Sequence, residues 1–153
     1  MRTKQTKRAA AGTAFWDTSA IVPLCCFQPQ TARARYAVRL HGQQIIWWAT
    51  PVEAVSSLTR LGRNGQLTSG EIIQASARLD YMRARWHEIQ PAEQVRTGAE
   101  RLLKVHRLRA GDAFQLAAAL VWCNHQPGNR PFISGDDVLS DAATAEGFLA
   151  IRV

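Results

Sequence analysis

Ala14-Phe15-Trp16 runs straight into Asp17-Thr18-Ser19-Ala20, an apolar strand ending on a carboxylate. The three apolar residues suit a short, pleated, buried segment. Residues 18–27 are then almost wholly apolar and read as a short helix disturbed by Pro23. A carboxylate between two such elements must be hydrogen-bonded, paired or metal-bound.

Outward from this point the chain alternates strands and helices. Residues 31–40 form a helix closed by Gly42. Residues 44–49 (QIIWWA) are a buried β run. Thr50, Pro51 and Glu53 then suit the N-cap, first and third positions of a helix, a capping box, and that helix stops near Gly62 and Gly65. Residues 68–89 read as one long helix with Ile72, Ile73, Ala75, Leu79 and Met82 on one side. Helices over 91–105 and the alanine-rich 111–123 follow. A strand over 131–134, a helix over 137–146 and a strand over 149–153 complete the order. Strands separated by helices imply right-handed crossovers. The expected fold is α/β: a three-layer sandwich, with a mainly parallel sheet of four to five strands and helices on both faces.

Residues 1–12 carry four cations and no acid, and read as a mobile basic tail ahead of one domain over 13–153. The 153 residues, 46% apolar and 20% charged, suit one globular domain. Three cysteines, Cys25, Cys26 and Cys123, make no disulfide framework and suit a reducing cytoplasm. The longest apolar runs, 20–27 and 116–123, fall far short of the roughly 18 residues a spanning helix needs, so no membrane is expected. His41, His87, His106 and His125 stand in no zinc-binding spacing. The chain also lacks a glycine-rich phosphate loop and a Gly-x-Ser-x-Gly elbow.

The net charge is +7, and sixteen of the nineteen basic residues are arginine, the side chain best suited to bidentate phosphate contacts. Residues 1–70 hold nine basic residues against two acids, Asp17 and Glu53. With Asp112, at the start of the alanine-rich helix, and Asp136, after the strand over 131–134, these make four carboxylates where an open α/β sheet collects its site. A capping role accounts for Glu53, Asp112 and Asp136 one at a time. It does not explain why all four should face one edge. Carboxylates gathered in one pocket repel unless a cation intervenes, and oxygen ligands without His or Cys suit Mg²⁺ or Mn²⁺. Two such ions can activate a water and steady the leaving oxygen of a phosphodiester, while surrounding arginines hold a nucleic-acid backbone.

Phe15-Trp16-Asp17-Thr18-Ser19-Ala20, Glu53 in residues 52–58, Leu108-Arg109-Ala110-Gly111-Asp112-Ala113-Phe114-Gln115-Leu116-Ala117 and Ile133-Ser134-Gly135-Asp136-Asp137-Val138-Leu139 resemble, in that order, the motifs of PIN-domain ribonucleases. The resemblance covers residues 14–153 and is nearest in layout to the VapC toxins of toxin–antitoxin pairs. It implies a Mg²⁺- or Mn²⁺-dependent endoribonuclease acting on RNA, usually a homodimer, inhibited by a VapB-type antitoxin. It also implies Asp17, Glu53, Asp112 and Asp136 as the catalytic and metal-holding quartet, supported by Ser19 and Ser134. Asp137 stands beside Asp136 and competes for the fourth place. The basic segment ahead of the first strand is longer than these proteins typically carry. Arg78, Arg83 and Arg85 are candidates for an RNA groove, with a solvated helix face as the competing account. Of Trp47 and Trp48, which face opposite ways on a strand, at least one belongs to the core. The alternative function is a catalytically inactive PIN-fold module that binds nucleic acid or a partner.

Overall fold

The computed structural model describes residues 12–153. The basic tail expected over 1–12 lies, up to residue 11, outside the described residues. Five strands, β1 (Thr13–Trp16), β2 (Gln43–Trp47), β3 (His87–Ile89), β4 (Pro131–Ser134) and β5 (Leu149–Arg152), form one sheet in the order β3-β2-β1-β4-β5. Every neighbouring pair is parallel. Seven helices connect them: α1 (Thr18–Cys25), α2 (Thr31–Leu40), α3 (Thr50–Arg63), α4 (Ser69–Arg83), α5 (Glu93–Val105), α6 (Ala110–Trp122) and α7 (Asp137–Ala145).

Strand alternation builds a core on each face of the sheet. Phe15, Ile45, Trp47 and Phe132 point to one face, where α5, α6 and α7 cover them. Ala14, Trp16, Ile46 and Ile133 point to the other, beneath α1, α2, α3 and α4. This is the expected three-layer α/β sandwich. Trp47 is buried and stacks on Phe114, whereas Trp48 is half exposed. All three cysteines are buried and unbridged, and burial pushes the Cys25 thiol up to about 12, which leaves it unreactive. No helix among the described residues is long and apolar enough to cross a membrane.

Two expectations need correction. Residues 68–89 are not one helix, because α4 ends at Arg83 and His87–Ile89 is a strand on the outer edge of β2. Three residues are too few to show an alternation of their own. Only the open edge of β2 supplies the ladder that makes them a strand. The capping box expected at Thr50 and Glu53 is also absent: α3 is capped by Ala49 without a side-chain bond.

A capping box does open α4. Thr68 Oγ1 accepts from the Glu71 amide at 3.2 Å, and Glu71 Oε2 accepts from the Thr68 amide at 2.7 Å. The Thr68 amide and hydroxyl, both donating to Glu71 Oε2, hold the Glu71 carboxyl below its ordinary value. Thr68→Ala should lower stability by about 1 kcal/mol, read as a shift of the urea midpoint with an unchanged slope.

The strand order carries the functional consequence. From β1 the chain steps outward through β2 to β3, then returns to lay β4 and β5 on the other side of β1. The direction therefore reverses between β1 and β4, and open parallel sheets bind ligands in the crevice beyond that switch point. Asp17 follows β1 directly, and its amide still donates to Ile133 of β4 at 2.9 Å. Asp136 lies two residues beyond β4.

Candidate active site

Asp17, Glu53, Asp112 and Asp136 all line one open pocket of about 340 Å³ at this crevice. Each arrives by a different route. Asp17 caps α1, with Oδ2 accepting from the Ser19 amide at 3.2 Å. Glu53 lies in the first turn of α3, Asp112 in the first turn of α6, and Asp136 caps α7 through a 2.7 Å bond from the Leu139 amide to Oδ1. The helix starts thus direct the positive ends of their backbones into the same space.

Two serines tie the strand ends together beneath Asp17. Its Oδ2 accepts from the Ser19 hydroxyl and, at 3.1 Å, from the Ser134 hydroxyl. Ser19 Oγ accepts in turn from the Gly135 amide at 2.8 Å, and Ser134 Oγ from the Asp136 amide at 3.0 Å. A Cβ on Gly135 would come within 3.2 Å of the Ser19 carbonyl oxygen, a tighter contact than most side chains make. All three bonds converge on Oδ2, and Oδ1 takes none among the described residues.

The capping account of Glu53 gives way to a tertiary one. Its Oε2 accepts from the Thr18 hydroxyl of α1 and, at 2.8 Å, from the Gln115 amide of α6. Thr50, expected as a cap, is fully buried and accepts from the same amide at 3.2 Å. Sequence reading missed Gln115 and the hydroxyl of Thr18. The available signal at Gln115 was a long polar side chain within the apolar run of α6, between Phe114 and Leu116.

Burial first, and neighbouring negative charge second, set the electrostatics. Burial pushes the Asp17 carboxyl up from 3.8 to about 6 against the lowering effect of its Ser19 and Ser134 hydrogen bonds, with Asp112 adding to the rise. Burial likewise raises Asp112, helped by Asp136 and Glu53 and opposed by Arg109. Among the described residues none of the four carboxylates forms an ion pair, although Glu93, Glu146, Asp137 and Asp141 all do. Arg60 is the arginine that lines the pocket.

The remaining candidates fall outside it. Asp137 is exposed and faces Arg152 at 3.4 Å, so the pocket takes Asp136 and not its neighbour. Arg78 donates to the Cys25 carbonyl at 2.9 Å and closes the end of α1. Arg85 lies over the Tyr81 ring at 3.7 Å, and Arg83 is exposed in the last turn of α4. None of these three lines the acidic pocket.

The donor set fits a hard divalent cation. It offers only oxygens, and it has no ion-pair partner among the described residues. Among the described residues no group of three His, Cys, Asp or Glu side chains stands drawn together as ligands. One oxygen each of Asp17, Glu53 and Asp136 is engaged in hydrogen bonds. Neither a protein-family model nor a curated protein matches the chain.

Proposed function

We propose that this chain is a PIN-type endoribonuclease dependent on Mg²⁺ or Mn²⁺, and the toxin of a VapBC-like toxin–antitoxin pair. One observation carries the reading. Four carboxylates from four separate elements line one pocket at the switch point of a parallel sheet, unpaired by any described cation, in a chain of net charge +7. Glu146, by contrast, is paired with Arg101 and His106.

Asp17, Glu53, Asp112 and Asp136 would hold the cation. When bound, it supplies Lewis acidity toward the phosphodiester and a water of lowered pKa. The chain's own residues do the rest. Ser19 and Ser134 keep Asp17 oriented by occupying Oδ2. Thr18 does the same for Glu53 through Oε2. Arg60, which lines the pocket, would meet a backbone phosphate, and the net positive charge would draw RNA toward an otherwise repellent acidic site. A VapB-type antitoxin, a second copy of the chain and a cytoplasmic setting belong to the same proposal.

The test is RNA cleavage by the purified chain. Activity should stop with EDTA and return with excess Mn²⁺ or Mg²⁺, and cleavage that persists in EDTA would overturn the proposal. The second reading, a PIN-fold module that binds without cutting, draws on the carboxylates not standing together as ligands. It predicts RNA retained intact at every Mn²⁺ concentration.

A further inference from the structure

We infer that Gln115 is a positioning residue for Glu53: its side-chain amide, buried under the pocket, selects which carboxylate oxygen Glu53 presents. This rests on the proposal that Glu53 helps to hold a divalent cation.

Gln115 lies one turn beyond Asp112 on α6 and is 1% exposed, and the other buried residues of that helix are all alanine or leucine. Core packing alone would favour leucine or methionine there, because a buried amide is unfavourable unless it is hydrogen-bonded. The two amide hydrogens of Gln115 face three acceptors: Glu53 Oε2 at 2.8 Å, Thr18 Oγ1 at 2.9 Å and Thr50 Oγ1 at 3.2 Å. Its carbonyl oxygen, Oε1, is buried with no partner.

That orphaned oxygen is informative. Turning the amide over would offer Oε1 to the threonine hydroxyls, but it would set oxygen against the Glu53 carboxylate, acceptor against acceptor. The observed orientation satisfies Glu53 at the expense of Gln115 itself. Because Thr18 donates to the same Oε2, both donors anchor one oxygen of the carboxylate. The other, Oε1, takes no hydrogen bond among the described residues and lies on the side of Gly111, where a Cβ would sit 4.0 Å away. Gln115 and Thr18 thus leave Oε1 as the unanchored oxygen of Glu53, beside the start of α6, and Asp112 of that helix lines the same pocket.

The experiment compares the parent, Gln115→Met, Glu53→Gln and the double variant. Mn²⁺ affinity is read by electron paramagnetic resonance of the unbound ion, and kcat and KM on a cleavable RNA. Gln115→Met preserves volume and removes the donor. It should weaken Mn²⁺ binding roughly 10- to 100-fold, the usual effect of losing a partner of a ligand, and lower kcat with KM for RNA unchanged. In the Glu53→Gln background the same change should have no further effect, since residues acting through one another are not additive.

Equal Mn²⁺ affinity in Gln115→Met and the parent, or the same loss in both backgrounds, would overturn the inference while leaving the nuclease proposal standing. A parent that binds no Mn²⁺ would overturn both. Gln115→Leu, which removes the donor without adding a charge, provides a second arm with the same expectations if the methionine variant does not fold.

Discussion

Asp17→Asn is expected to melt at a higher temperature than the parent in metal-free buffer at neutral pH, and to have lost RNA cleavage. The two effects share one cause. In the folded chain the Asp17 carboxyl is pushed up from 3.8 to about 6, chiefly by burial. Between those values the folded protein keeps a proton that the unfolded chain has released. Stability therefore falls as pH rises through that window, and the full deficit remains above it. A shift of this size corresponds to about 3 kcal/mol. Asparagine keeps an oxygen for Ser19 and Ser134 but carries no charge, so it relieves the deficit. The same loss of charge should reduce cleavage at least roughly a hundredfold, beyond the effect of losing a ligand's partner alone. Thermal melts of both proteins in EDTA from pH 4 to 8 should converge at the acidic end and separate as pH rises. A variant no more stable than the parent at neutral pH would show that Asp17 is not held at a cost. A variant that cleaves RNA at the parental rate would remove Asp17 from the site.

The second large effect is expected in the core that supports the switch point. Phe132 is fully buried in β4, stacked on Phe15 of β1 at 5.3 Å and tilted against Phe148 at 5.6 Å. It joins the two strands whose ends carry Asp17 and Ser134. Phe132→Ala should remove about 3–5 kcal/mol through lost burial and the cavity left behind. That is a large part of the 5–15 kcal/mol typical of a whole domain. Chemical denaturation should show a markedly lower midpoint. A loss under about 1 kcal/mol would mean that Phe15 and Phe148 close over the gap, and that the sheet centre is softer than its packing implies.

Local chemistry explains why some features were legible along the chain. The apolar runs of β1, β2 and β4 alternate between two buried faces, and their composition announces that burial. The acids at 17, 112 and 136 stand at helix starts that Asp favours on its own account. Glu53 was legible as a residue but not in its role. Thr50-Pro51-Val52-Glu53 has the spacing of a cap, yet the partners of Glu53 are Thr18 and Gln115, 35 and 62 residues away. No pattern within a helix reports such partners. The same holds for Arg78: its place on α4 suggests a solvated face, and only the end of α1 beneath it supplies the Cys25 carbonyl it caps.

Sequence by itself thus determined the class of the fold, most of its element boundaries and the residue types able to carry charge at strand ends, because these depend on neighbours a few positions apart. Tertiary structure alone decided that β3 exists, that Asp136 and not Asp137 enters the pocket, and that Glu53 is held from α1 and α6. Those outcomes depend on which groups meet across the reversal between β1 and β4. The meeting is set by the packing of two cores on one sheet, over separations that periodicity does not span.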